Sequence, residues 1–160
     1  MNQSLVHENA ISLVGVSVRT TNAREKSGEG RIQSTLAKFF NERLFEKIPK
    51  RAAPGLTYCV YTQYEFDENG EYTYFVGEWV EPIASDDGSL ETLIIPAQKY
   101  IKFDIGPGIM PNVCIQAWEK IWKMSPEELG GIRKYAADFE VYGPDMNPLE
   151  ATFPIYIGVE

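Results

Sequence analysis

The feature that most constrains the fold of this 160-residue chain is a repeated order of local patterns: strand, helix, strand, strand, and then the same order again. Leu13, Val14, Val16 and Val18 lie in a β-rich run over residues 12–20, which a polar, Gly-containing stretch over residues 22–30 ends. From 31 to 48 the apolar residues Ile32, Leu36, Phe39, Phe40, Leu44 and Ile48 recur at offsets of three and four, which predicts one amphipathic helix. Pro49, Pro54 and Gly55 punctuate the chain, and two strand-like runs at 58–65 and 72–80 flank the turn residues Asp67, Glu68, Asn69 and Gly70, which reads as a hairpin.

In the second half, residues 93–105 are strand-like apart from Pro96, Ala97 and Gln98, and Gly106, Pro107 and Gly108 break the run. Val113, Cys114, Ala117, Trp118, Ile121 and Trp122 make a helical apolar stripe with Pro111 near its start. Ser125, Pro126 and Glu128 form a capping-box pattern opening a short extra turn. Strands at 135–142 and 153–159 close the chain around a loop with Gly143, Pro144 and Pro148. The halves share element order rather than residue identity. One such unit cannot bury both its helix face and its sheet face alone, so two should pack about a pseudo-dyad. The expected fold is α+β: a duplicated strand-helix-strand-strand unit forming a curved antiparallel sheet or partial barrel with two helices and a central pocket. It should be one domain over 1–160, with pseudo-repeats 1–84 and 90–160 and a cleft at the seam between them.

Charge and composition narrow the function. A formal net charge of −8 argues against direct nucleic-acid binding, which needs a basic surface, but does not by itself indicate a cationic partner, since acidity for solubility accounts for it more readily. No run approaches the roughly 18 apolar residues of a membrane span, and the polar start (Asn2, Gln3, His7, Glu8) is no secretory signal, so a cytoplasmic protein without membrane contact is expected. Cys59 and Cys114 lie far apart and suggest neither a disulfide framework nor a metal site. His7, the only histidine, precedes the first predicted strand and reads as a tail residue, which removes Ser-His-Asp and Cys-His catalysis. No phosphate-binding glycine motif occurs, and Asp67 to Glu71 reads as a turn rather than a calcium loop, so no cofactor or metal is expected.

Nine Tyr, eight Phe and three Trp exceed what a core of this size needs, and tyrosine suits half-open pockets. In Asp138-Phe139-Glu140-Val141-Tyr142, alternation sends Phe139 and Val141 one way and Asp138, Glu140 and Tyr142 the other. That polar face fits either solvent or a pocket carboxylate ringed by aromatics from nearby strands, namely Tyr61, Tyr64, Trp79, Tyr100 and Tyr156. The second arrangement would attract an organic cation. Trp118 and Trp122, at helical spacing, read as core.

Five segments, in order, resemble the GyrI-like effector-binding domains found at the C-terminus of many AraC-type and MerR-type regulators. They are the hairpin Tyr58-Cys59-Val60-Tyr61-Thr62-Gln63-Tyr64-Glu65 with Tyr72-Thr73-Tyr74-Phe75-Val76-Gly77, then Ile95-Pro96-Ala97-Gln98-Lys99-Tyr100, Trp118-Glu119-Lys120-Ile121-Trp122, Asp138-Phe139-Glu140-Val141-Tyr142 and Ile155-Tyr156-Ile157-Gly158. The resemblance covers residues 12–159. It implies a central aromatic pocket with a buried acidic residue that binds lipophilic, often cationic, compounds, and it assigns that residue to Glu140, with Tyr61, Tyr64, Trp79, Tyr100, Tyr142 and Tyr156 as ligand contacts. Only about a dozen residues precede the first predicted strand, which leaves no room for a helix-turn-helix, so a stand-alone domain is expected. The leading expectation is a non-enzymatic binder of amphipathic cations in drug sensing or sequestration, a monomer or weak dimer. The resemblance carries two alternatives: a hydrolase of strained electrophilic rings, with Glu140 as base and Tyr142 or Tyr156 assisting, and an acidic protein-interaction module acting on a regulator or on DNA gyrase.

Overall fold

The computed structural model describes residues 1–82 and 90–160, so most of the junction expected between 84 and 90 falls outside the described residues. Eight strands form one sheet: β1 Asn2–Glu8, β2 Ile11–Thr21, β3 Thr57–Thr62, β4 Glu71–Trp79, β5 Glu91–Ile95, β6 Gln98–Gly108, β7 Arg133–Tyr142 and β8 Ala151–Val159. They lie in the order β1-β6-β8-β7-β3-β4-β2-β5, each pairing antiparallel. The α+β antiparallel architecture expected from the element order is therefore present, and the strand order makes the duplication visible. About the central β3–β7 pairing, β4 and β2 on one side answer β8 and β6 on the other.

The outermost strands cross between halves. β1 precedes the first unit yet pairs with β6, and β5 precedes the second yet pairs with β2. Two residues separate β1 from β2, and two separate β5 from β6. Three residue steps reach about 10 Å at most, so both edges of the sheet are tied together at this corner and the sheet must curl.

This topology corrects the reading of His7 as a tail residue, since residues 2–8 belong to the sheet. They form an edge strand, with His7 opposite Lys99. Alternation could not reveal it, because β1 is largely exposed on both sides and carries polar residues on each.

The two principal helices are α2 Ile32–Asn41 and α3 Asn112–Trp122, joined by two short ones, α1 Asn22–Lys26 and α4 Pro126–Leu129. The helix expected over 31–48 is broken: Arg43 has φ +51°, and a 3-10 turn at Leu44–Lys47 follows. Its periodicity survived the break because Phe39, Leu44 and Ile48 still bury against one patch. α1 occupies residues read as loop, and Glu25 on it does work for its neighbour. Its carboxylate accepts from the Arg31 and Ile32 backbone N–H groups at 2.7 and 3.3 Å, at the start of an α2 that has no side-chain cap of its own. The Ser125 and Glu128 capping box forms as expected.

The two faces of the sheet bury different cores. On one, α2 covers Val14, Tyr72, Tyr74 and Val76, and α3 covers Ile101, Phe103, Phe153, Ile155 and Ile157. On the other, Leu13, Tyr58, Val60, Phe75, Ile95, Tyr100, Ala137 and Phe139 pack together without a helix, the sheet closing on itself. Phe39, fully buried under α2 with Phe45 at 6.0 Å, anchors the first helix. Phe39→Ala is expected to cost about 3–5 kcal/mol in urea unfolding, against less than about 0.5 kcal/mol for Leu149→Ala at the exposed surface. Equal losses would show that α2 is not held this way.

Candidate ligand-binding site

Because α2 and α3 belong to different halves, the space between them over the β3–β7 seam is filled by neither. A cavity of about 900 Å³ lies there. Cys59, Tyr61, Tyr72, Tyr74, Glu140 and Tyr142 from β3, β4 and β7 form its floor. Ile32, Leu36 and Phe40 line it from α2, and Cys114, Ile115, Trp118 and Trp122 from α3, with Tyr64, Glu68 and Arg133 also on its border. The antiparallel register sets Tyr61 opposite Tyr74, and Cys59 opposite Glu140. Side chains of directly opposed residues share a face, so these four point the same way.

Glu140 is 3% exposed. Its Oε2 accepts from the Tyr61 hydroxyl at 2.9 Å, Trp118 Nε1 at 2.6 Å and Cys114 Sγ at 3.2 Å, and its Oε1 from the Tyr142 hydroxyl at 2.7 Å. Every donor is neutral, and among the described residues no Lys or Arg lies within 4.0 Å of it. Asp138, two residues earlier on the same face, is treated differently. Its carboxylate receives Arg133 Nη2 at 2.6 Å, the Tyr64 hydroxyl at 2.5 Å and the Gly158 N–H at 2.8 Å. Asp138 is a compensated structural charge, whereas Glu140 is solvated by dipoles and lacks a counter-ion. A buried charge of that kind is costly until a cation meets it.

Burial, and secondly the Glu140 charge, push the Tyr61 and Tyr142 hydroxyls and the Cys59 and Cys114 thiols upward, so all four keep their protons at neutral pH. The rings are nearly continuous: Trp122 to Trp118 at 6.3 Å, Trp118 to Tyr61 at 4.9 Å, Tyr61 to Tyr72 at 5.7 Å and Tyr72 to Tyr64 at 6.0 Å between centroids.

Of the residues expected in a pocket, Glu140, Tyr61, Tyr64 and Tyr142 are brought together at this cavity. Trp79, Tyr100 and Tyr156 are not. Trp79 is 41% exposed at the end of β4. Tyr100 and Tyr156 pack on Phe139, at 5.2 and 4.5 Å, in the core of the opposite face. Trp118 and Trp122, read as core, both border the cavity. Their i, i+4 spacing shows a shared face but cannot show that the face meets a void. Tyr72, Tyr74 and Arg133 were missed, and the hairpin register alone would have found Tyr74 from Tyr61. Asp67 forms the turn expected of it, accepting from the Asn69 and Gly70 N–H groups. Among the described residues, no three His, Cys, Asp or Glu side chains converge as a metal site requires. No described helix is long and apolar enough to cross a membrane.

Tyr61, Tyr64, Tyr74 and Tyr142 all have pKa values raised by burial above the usual tyrosine value near 10. The folded state therefore holds protons that the unfolded state releases above about pH 10, and stability falls as pH rises past that point. Each group steepens the loss by up to roughly 1.4 kcal/mol per pH unit. Urea unfolding between pH 9 and 11 checks this, and a flat profile would contradict the burial of these hydroxyls.

Comparison with known proteins agrees with this architecture. The sequence model of the Cass2 family, integron-associated effector binding protein, matches residues 4–159. A Bacillus subtilis (strain 168) protein, YobU, whose name provisionally makes it a transcriptional regulator, is 27% identical over 159 residues, 98% of this chain and 96% of its own. The integron cassette protein VCH_CASS2 from the mobile metagenome of Vibrio cholerae has TM-score 0.72 at 25% identity, covering 99% of this chain and 95% of that one. SAV2435, solved bound to tetraphenylphosphonium, has TM-score 0.78 at 19% identity, covering 100% and 94%, a likeness of fold. The family match spans nearly the whole chain, and with the duplicated GyrI-like fold around a seam cavity it places this chain in the family of integron-associated effector binding proteins.

Proposed function

We propose that the seam cavity binds lipophilic organic cations, with Glu140 as counter-charge, and that the protein acts in drug sensing or sequestration. The observation that carries this reading is a buried carboxylate held by neutral donors alone in an aromatic cavity. Glu140 already accepts four hydrogen bonds from neutral groups, three on Oε2 and one on Oε1. It needs charge from a ligand rather than further donors, which suits a quaternary or delocalised cation better than a primary ammonium. Faces of Tyr61, Trp118 and Trp122 would add cation–π contacts of roughly 0.5–2 kcal/mol each. The binding of tetraphenylphosphonium by SAV2435, which shares the fold, points to the same ligand class.

Tetraphenylphosphonium titration followed by tryptophan fluorescence is the direct test. Glu140→Gln is expected to weaken binding about ten- to hundredfold, roughly 1.4–2.7 kcal/mol, while leaving the neutral dye Nile red nearly unaffected. Tyr100→Phe, on the opposite face, is expected to change neither. Equal phosphonium affinity in wild type and Glu140→Gln would remove the counter-ion role.

A further inference from the structure

The cavity has a second polar end. Arg133, at the start of β7, borders it with a side chain only 10% exposed. Nη2 is used, donating to Asp138 at 2.6 Å. Nε and Nη1 are buried and have no hydrogen-bond acceptor among the described residues. Glu68 Oε2 lies 4.0 Å from Nη1, beyond hydrogen-bonding range, and already accepts from the Tyr135 hydroxyl at 2.5 Å. The Tyr135 ring covers the guanidinium, with Cζ 4.3 Å from its centroid. A buried donor left unpaired is destabilising, so an acceptor that a ligand brings to these groups as the guanidinium turns toward the cavity would be rewarded here.

The two ends ask for opposite things. Glu140 is held by four neutral donors and lacks a positive charge; Arg133 has spare donors. The charge around Arg133 decides what kind of acceptor fits. Glu68 and Asp138 outnumber it by one, which disfavours a second anion and favours a neutral oxygen. Tyr61, Tyr72 and Tyr64 run from the Glu140 end to the Arg133 end, ring to ring, as an apolar wall.

From this geometry we infer that the natural ligand is an elongated amphipathic cation carrying a neutral hydrogen-bond acceptor, an ester or amide carbonyl, remote from its charge, and that Arg133 is the residue selecting it. The inference rests on the role proposed for Glu140. Its test uses alkyltriphenylphosphonium ions of increasing chain length, in matched sets ending in a methyl group, a methyl ester or a carboxylate, titrated by tryptophan fluorescence. At the best chain length the ester is expected to bind about tenfold tighter than the methyl-ended ion and tighter than the carboxylate. Arg133→Lys, which keeps the charge on Asp138 but loses the guanidinium fork, is expected to bring the ester down to the methyl-ended series. Should that variant not fold, Arg133→Met combined with Asp138→Asn removes both charges together and makes the same comparison. Equal binding of ester and methyl-ended ions at every length, or an ester advantage that survives these variants, overturns the Arg133 assignment. Preference for the carboxylate overturns the neutral acceptor. Glu140→Gln is expected to weaken all three sets alike; no effect there fails the cation reading itself, whatever the ester comparison shows.

Discussion

The antiparallel pairing of β3 with β7 is the constraint on which the rest of the molecule depends. It is the joint between the two halves, and its register fixes who stands beside whom: Cys59 faces Glu140, and Tyr61 faces Asp138. The same pairing spaces α2 and α3 so that a cavity is left between them over the seam. Fold and site are thus one consequence. A cavity appears where two incomplete cores meet, and its floor is the strand pair that made them meet.

Two carboxylates on one strand face show how local context divides structural from functional charge. Asp138 sits where Arg133, a backbone N–H and Tyr64 converge, and its charge is spent on holding β7 and β8 together. Glu140, two residues further along β7, meets a phenol from β3, an indole and a thiol from α3 and a phenol from its own strand. Dipoles from both halves stabilise that anion without neutralising it. The difference between the two residues is one of partners, since both are buried nearly completely.

Much of the architecture was legible because burial writes a period into the chain. The helical stripe of α3 and the hairpin of β3 and β4 could be read directly, as could the capping box at Ser125 and the acidic alternation of β7. Resemblance to GyrI-like domains then assigned Glu140 to a pocket, which spacing by itself had left open between pocket and solvent. What escaped had physical reasons. β1 lies at an edge with both sides largely wet, so its sequence has no apolar face to show. The helix read through residue 48 breaks at Arg43, yet the apolar positions on either side still meet the same core, which hides the break.

Among the aromatics, the sequence by itself determined the supply and not the placement. It determined that β7 would turn Glu140 and Tyr142 away from Phe139, since strand geometry alternates without regard to neighbours. Only tertiary structure decided that Tyr61, Tyr64, Trp118 and Trp122 would border a void, while Tyr100 and Tyr156 stacked against Phe139 in a core that forms because the sheet curls back on itself. The reason is that both faces of this sheet are buried. Alternation separates two faces, but which one closes on itself and which keeps an opening depends on where distant strands pair.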